Sequence, residues 1–220
     1  MLEEKINELK KRLIDYTTLV MSMVEKSVNG LVDRKEDLLV SVVEKDEPRA
    51  NNFEIELDEV STTLIVQLQP RAKDLRTILM VQKMNNDLER IADHAVNISQ
   101  SALNLIELPL VKPLIDIPRM ADEVTKMAND AVNAFIREDT KLAKTVCERD
   151  GVVDGLRDQI LRELITYMVS DSSTIERSLH LINISKNLER IADLSTNICE
   201  DVIFLVEGRI IKHHREEKPS

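Results

Sequence analysis

The hexapeptide Leu88-Glu89-Arg90-Ile91-Ala92-Asp93 returns as Leu188-Glu189-Arg190-Ile191-Ala192-Asp193, 100 positions later, and each copy is followed by the same Asn-Ile pair, Asn97-Ile98 and Asn197-Ile198. The chain is therefore an internal duplication. Both copies lie in long stretches without Gly or Pro, which predicts helix. Glu and Asp are four residues apart in each copy, and the Asn is four further on. At about 3.6 residues per turn, Glu89, Asp93 and Asn97, and likewise Glu189, Asp193 and Asn197, stack along one helix flank as a ladder of oxygen donors.

Working outward, the apolar residues around each hexapeptide alternate spacings of four and three, as a bundle seam does. Met84, Leu88, Ile91, Ala95, Ile98, Ala102 and Leu105 form the first seam; Ile184, Leu188, Ile191, Ser195, Ile198, Val202 and Leu205 form the second. A step of about 100° per residue puts Glu89, Asp93 and Asn97 on the order of 130° from the core direction. The ladders are predicted off the core. A solvated charged face is the ordinary meaning of such a pair. Two features weigh against it: the ladder is duplicated, and like charges four apart cost a helix a few tenths of a kcal/mol, about 0.2–0.5, unless a cation lies between them.

The remaining chain reads as helix punctuated by few breakers. Apolar positions Ile6, Leu9, Leu13, Tyr16, Val20, Met23 and Val24 predict a first helix closed by Asn29-Gly30. A shorter amphipathic stretch spans roughly 33 to 46. Pro48 fits the first turn of a third helix, with Asp46 as its cap, running to Gln69. Pro70 turns the chain into the long helix that carries the first ladder. Pro109, Pro113 and Pro118 mark the repeat boundary. A helical stretch over 118–149, with a break near Arg137-Glu138-Asp139, leads to a further helix whose start Gly151 and Gly155 soften; a break at Asp171-Ser172-Ser173 precedes the last helix, which ends at Gly208. The expected organisation is all-α, a tandem repeat of two three-helix bundles, with residues 1–108 the first repeat, 109–118 a Pro-rich linker, 119–212 the second repeat and 213–220 a charged tail. A composition of 43% hydrophobic and 32% charged residues with 2% aromatics and no Trp suits such bundles.

If Pro70 folds one helix back on the next, equal counts from the turn set Asn51 opposite Glu89 and Glu47 opposite Asp93. The turn near Asp171 sets Asp154 and Asp150 opposite Glu189 and Asp193. Glu54 with Asp58, and Asp158, continue these rows, so the register is open by about one turn. Oxygen donors alone favour hard cations such as Mg²⁺, Mn²⁺, Ca²⁺ or oxidised iron over zinc. Because the second set has four carboxylates and the first has an amide at Asn51, the second is expected to hold metal more tightly.

A net charge of −10 and a pI near 5.0 argue against nucleic acid as a partner. The charged N-terminus leads into no apolar run of about 18 residues, so neither a signal peptide nor direct membrane insertion is expected, and the protein is expected in the cytoplasm. Cys147 and Cys199 read as isolated thiols buried in a reducing compartment, with no disulfide framework. Only His94 adjoins a ladder; His180 reads as a partly buried histidine, and His213 and His214 fall in the tail. No Glu is followed three residues later by His, and no nucleophile–base pair, phosphate loop or zinc signature appears. No catalytic residue is predicted.

The duplicated Leu-Glu-Arg-Ile-Ala-Asp with its Asn-Ile, the turn Gln69-Pro70-x-Ala72-x-Asp74-Leu75-Arg76, Asp150-x-x-Val153-Asp154 and Thr166-Tyr167-Met168 together resemble the PhoU family of phosphate-transport accessory regulators, over essentially the whole chain. The resemblance implies a pair of three-helix bundles, no enzymatic activity and metal clusters, iron above all, on surface Glu/Asp-x-x-x-Asp pairs. Carried over by position, these are Glu89, Asp93, Asp150, Asp154, Glu189 and Asp193, with Glu47 and Asn51 in the remaining slots. Ala92 and Ala192 stand where the family often has Gly, one methyl group that does not bear on ligation. The implied role is a cytoplasmic adaptor, peripheral at the inner membrane through its partners, between the phosphate ABC transporter and a sensor histidine kinase, repressing the starvation response when phosphate is plentiful. A homodimer is the expected assembly. Taken alone, the ladders would also suit a carboxylate-bridged metalloenzyme, and the seams a metal-free scaffold.

Overall fold

The structure, a computed structural model, describes residues 2–207 together with the backbone of Ile211–Lys212 and Arg215–Glu216, which pair as a two-residue antiparallel ladder. Helices make up nearly all of it. In the first repeat they are α1 (Leu2–Val32), α2 (Glu36–Ser41), α3 (Glu47–Leu68) and α4 (Lys73–Leu103); in the second, α5 (Asp116–Arg137), α6 (Thr140–Ser170) and α7 (Ile175–Glu207). Each repeat is a three-helix bundle, because α2 and α3 are two lengths of one arm. Between them Val42–Asp46 forms a π turn, and the residues at both joints, Ser41, Val42, Asp46 and Glu47, stay right-handed helical.

Pro48 explains the π turn. Its ring crowds the carbonyl of residue 44 and it has no N–H to donate there, so the preceding turn widens while the helix continues. The expected separate helix with Asp46 as its cap is thereby corrected. Asp46 makes no capping hydrogen bond; it is buried, accepting from Lys26 Nζ at 2.6 Å and Arg49 Nη1 at 3.3 Å.

Two glycine assignments change as well. Gly30 does not close α1, which continues to Val32 and turns at Arg34 with φ 56°. Gly30 is there because Leu39 packs onto it: a Cβ would lie 2.5 Å from Leu39 Cδ2. Gly151 and Gly155 start no helix; α6 passes through both on an exposed face. The break before α6 falls where expected. Glu138 adopts a left-handed φ of 54°, and Asp139 caps α6 by accepting from the Lys141 and Leu142 amides, both at 3.0 Å.

The seams point inward as their spacing requires. All fourteen residues are buried except Leu205, which is half-buried. Within each repeat α4 packs on α1 and α3, and α7 on α5 and α6; between repeats, α4 packs on α7 and α1 on α5, so a single apolar core runs through both. The link between repeats is shorter at its far end than the prolines suggest: α5 begins at Asp116, and Pro118 sits in its first turn, where a missing N–H is tolerated. This link is tethered. Arg34 donates to the Leu108 carbonyl, Arg177 to that of Pro109 at 2.7 Å, and Lys112 pairs with Asp116 and Glu163. The tail assigned to 213–220, with His213 and His214, lies outside the described residues apart from the backbone of Arg215–Glu216.

The two cysteines are not isolated. Cys147 of α6 and Cys199 of α7 are neighbours close enough to perturb each other's ionisation, with Cys199 fully buried and Cys147 half-buried.

Candidate functional site

The first ladder lies along the groove between α3 and α4. Glu89 is half-buried, and Asp93 and Asn97 are exposed. The groove is pinned by two side-chain contacts: Asn85 Nδ2 donates to the Glu54 carbonyl at 2.9 Å, and Gln82 Nε2 to Asp58 Oδ1 at 3.1 Å. This register brings Glu54 to Glu89. Burial pushes the Glu89 carboxyl above its ordinary range, and the charges of Asp93 and Glu54 push it the same way. Asn51 is exposed and Glu47 half-buried on the same arm, further from the turn than Glu54.

Beneath the three carboxylates lies Tyr16 of α1, fully buried and stacked on Phe53 with ring centroids 5.5 Å apart. Its hydroxyl has no hydrogen-bond partner among the described residues. Burial, then Glu54, Glu89 and Asp93, hold the proton on it well beyond the usual tyrosine range. Helical spacing marks Tyr16 only as a core residue and does not say that its polar end meets the ladder.

The second ladder has the same backbone and a different charge balance. Glu189 is again half-buried and raised, by burial first and by Asp193 second. Here, however, Arg157 of α6 donates to Glu189 Oε1 at 3.2 Å and to Asp158 at 2.8 Å, with Asp154 at 3.9 Å. Arg190 adds an ion pair to Asp193 at 3.0 Å. Asp193, Asp154 and Asp150 are half-buried, and Asn197 is exposed. Counting 103 positions back from Asp150, Asp154 and Arg157 gives Glu47, Asn51 and Glu54. A carboxylate in the first groove thus corresponds to a guanidinium in the second. Counting ligands without Arg157 makes the second set look the stronger; with it, the first groove carries more uncompensated negative charge.

Among the described residues no three His, Cys, Asp or Glu side chains are gathered closely enough to hold a metal ion as they stand. His94 turns away from its ladder, its Nδ1 2.8 Å from Asn187 Oδ1 on α7. No described helix is long and apolar enough to cross a membrane.

The PhoU domain model matches twice, over residues 13–102 and 117–202, one match for each bundle. The chain belongs to the PhoU family. A phosphate-specific transport system accessory protein PhoU homolog of Aquifex aeolicus is 38% identical over 216 residues, covering 98% of this chain and 97% of its own. PhoU homolog 2 of Thermotoga maritima is 32% identical, covering 99% and 92%. The crystal structure of PhoU from Pseudomonas aeruginosa superposes with a TM-score of 0.89 at 34% identity, covering 94% of this chain and all of that one. PhoU relatives bear the names of accessory and regulatory proteins of phosphate transport, not of enzymes.

Proposed function

We propose that this PhoU-family chain is the adaptor that couples a phosphate ABC transporter to a sensor histidine kinase and represses the starvation response when phosphate is plentiful. The observation that carries this reading is the family match through both repeats at nearly full length, to relatives named as phosphate-transport accessory proteins. An adaptor needs surface, not a catalytic pocket, and the long half-exposed helices supply it. The partners are reached by protein contact from the cytoplasmic side, and the working unit is a homodimer. Deleting the gene should leave a starvation-induced phosphatase high in phosphate-rich medium. Normal repression in that medium, with any second paralogue also removed, sinks the reading.

The same proposal includes metal. The donor set fits hard cations, because Glu54, Glu89 and Asp93 crowd one groove where burial and mutual repulsion already strain the Glu89 charge. Glu89, Asp93 and Glu54, with Glu47, Asn51 and Asn97 along the same rows, would hold iron by family resemblance, or Mg²⁺, Mn²⁺ or Ca²⁺; a bound cation there supplies charge neutralisation and order to the groove. Glu189, Asp193, Asp150, Asp154 and Asn197 form the second set, which must first release Arg157. Metal content after chelator-free purification should therefore fall more in Glu89→Ala/Asp93→Ala than in Glu189→Ala/Asp193→Ala, with helicity kept in both. Absence of metal under every supplied cation removes this part of the proposal and leaves the adaptor role standing.

A further inference from the structure

The α6–α7 hairpin brings together the only two cysteines of the chain. The ion pair of Arg157 with Glu189 marks its register. Ten residues further from the turn on each helix stand Cys147 and Cys199, so they lie at one level, about 15 Å along the axes from that pair. Both side chains pack on the one apolar core, Cys199 within it and Cys147 against it, and each thiol perturbs the ionisation of the other. Cys199 is fully buried, between the seam residues Ile198 and Val202, whereas Cys147 is half-buried and the more exposed of the two. The first repeat has no counterpart, since Ser99 occupies the place of Cys199.

We propose that Cys147 and Cys199 are an oxidisable pair that hydroperoxides convert to an intramolecular disulfide, a covalent staple between α6 and α7. In the first step the Cys147 sulfur, as thiolate, attacks one oxygen of the peroxide. The S–O bond forms, the O–O bond breaks, and the departing oxygen takes up a proton as water or alcohol. In the second step the Cys199 sulfur attacks the Cys147 sulfenic acid. The S–S bond forms, the S–O bond breaks, and the leaving hydroxide takes the Cys199 proton as water. Two thiols lose two electrons and two protons, and the peroxide is reduced by the same two electrons. A dithiol or glutathione reverses the change by exchange through a mixed disulfide. Thiols at one level of two packed helices reach bonding distance by rotation about χ1. A bond closing the loop from residue 147 to 199 restrains the unfolded chain over the whole second hairpin.

The test uses the full chain. After treatment with hydrogen peroxide, the protein is alkylated under denaturing conditions, with and without prior reduction, and mapped by mass spectrometry. Free thiols should fall from two to none, the mass by about 2 Da, and one cross-linked peptide should join Cys147 to Cys199. The product should run as a monomer on a non-reducing gel, revert with dithiothreitol, and melt roughly 5–10 °C higher than the dithiol form. Cys199→Ala should instead halt at a dimedone-reactive Cys147, and Cys147→Ala should leave Cys199 unmodified. An interchain dimer, a Cys147 sulfinic acid with Cys199 free, or two unreacted thiols in the wild-type protein overturns the proposal without touching the adaptor reading.

Discussion

Asp87 is 8% exposed, its Oδ2 has no hydrogen-bond partner among the described residues, and Arg90 reaches it only at 3.8 Å. Burial pushes its carboxyl up from an ordinary 3.8 to about 6, and the charge of Asp201 adds to that rise. Because the folded value lies above the unfolded one, the unfolded chain releases this proton first. The stability cost is absent below the ordinary value, grows between about pH 4 and 6, and is complete above 6, where it amounts to about 3 kcal/mol at most. The second repeat has Asn187 at this position. Asp87→Asn should accordingly stabilise the protein by about 1–3 kcal/mol at pH 7.5 and by almost nothing at pH 4, read by urea unfolding at both values. An equal gain at both pH values means that the buried charge of Asp87 is not what costs stability. At this scale the sequence shows which residues share a flank, and Glu89, Asp93 and Asn97 do stand off the core. What meets them across a groove depends on register, which a turn of unknown geometry does not determine. Arg157 and the Tyr16 hydroxyl therefore enter the site only with the structure, and Glu54, which the open register allowed, is brought to Glu89 by it.

The helices themselves are largely legible, since period and breakers find every long one, although the start of α6 lies at Thr140 and not at Gly151 and Gly155. Their junctions are less so, because a proline or glycine admits more than one physical explanation. Pro48 can open a helix or widen a turn within one, and only the packing of the arm around buried Asp46 decides. Gly30 can end a helix or admit a neighbour, and Leu39, fully buried, decides that one. The contrast between glycines is testable. Gly30→Ala gains helix propensity of about 1 kcal/mol but forces the Leu39 side chain and crowds the Lys35 carbonyl at 3.2 Å, so a net loss of about 1–2 kcal/mol is expected. Gly151→Ala meets nothing within 4 Å and should stabilise by about 0.5–1 kcal/mol. Thermal midpoints moving in opposite directions check both; a stable Gly30→Ala protein means that Leu39 can yield.

The duplication is plain in the sequence, yet how the copies join is not. The contacts between α4 and α7 follow an approximate two-fold relation visible only in pairs: Asn183 Nδ2 donates to Ser101 Oγ at 2.8 Å, and a shift of 100 in each partner gives Lys83 with Asp201, an observed ion pair at 2.5 Å. The same shift turns His94–Asn187 into Leu194 and Asp87, which removes one hydrogen-bonding partner and leaves Asp87 unsatisfied on that side. Polar residues at these positions look in the sequence like solvent-facing ones, so the seam between repeats is hidden by its own chemistry. Once formed, that seam and the contact of α1 with α5 merge two cores into one. A bundle separated at the link would expose the apolar surface that the other repeat covers, at a cost of about 25 cal/mol for each Å². Neither half then has an independent folding equilibrium close to that of the whole. Heat unfolding of the full chain should be one transition with equal calorimetric and van't Hoff enthalpies, and residues 1–108 expressed alone should lack a sharp melt. Two resolved calorimetric transitions would instead mean that each bundle is stable by itself and that the α4–α7 contact is a docking of finished domains.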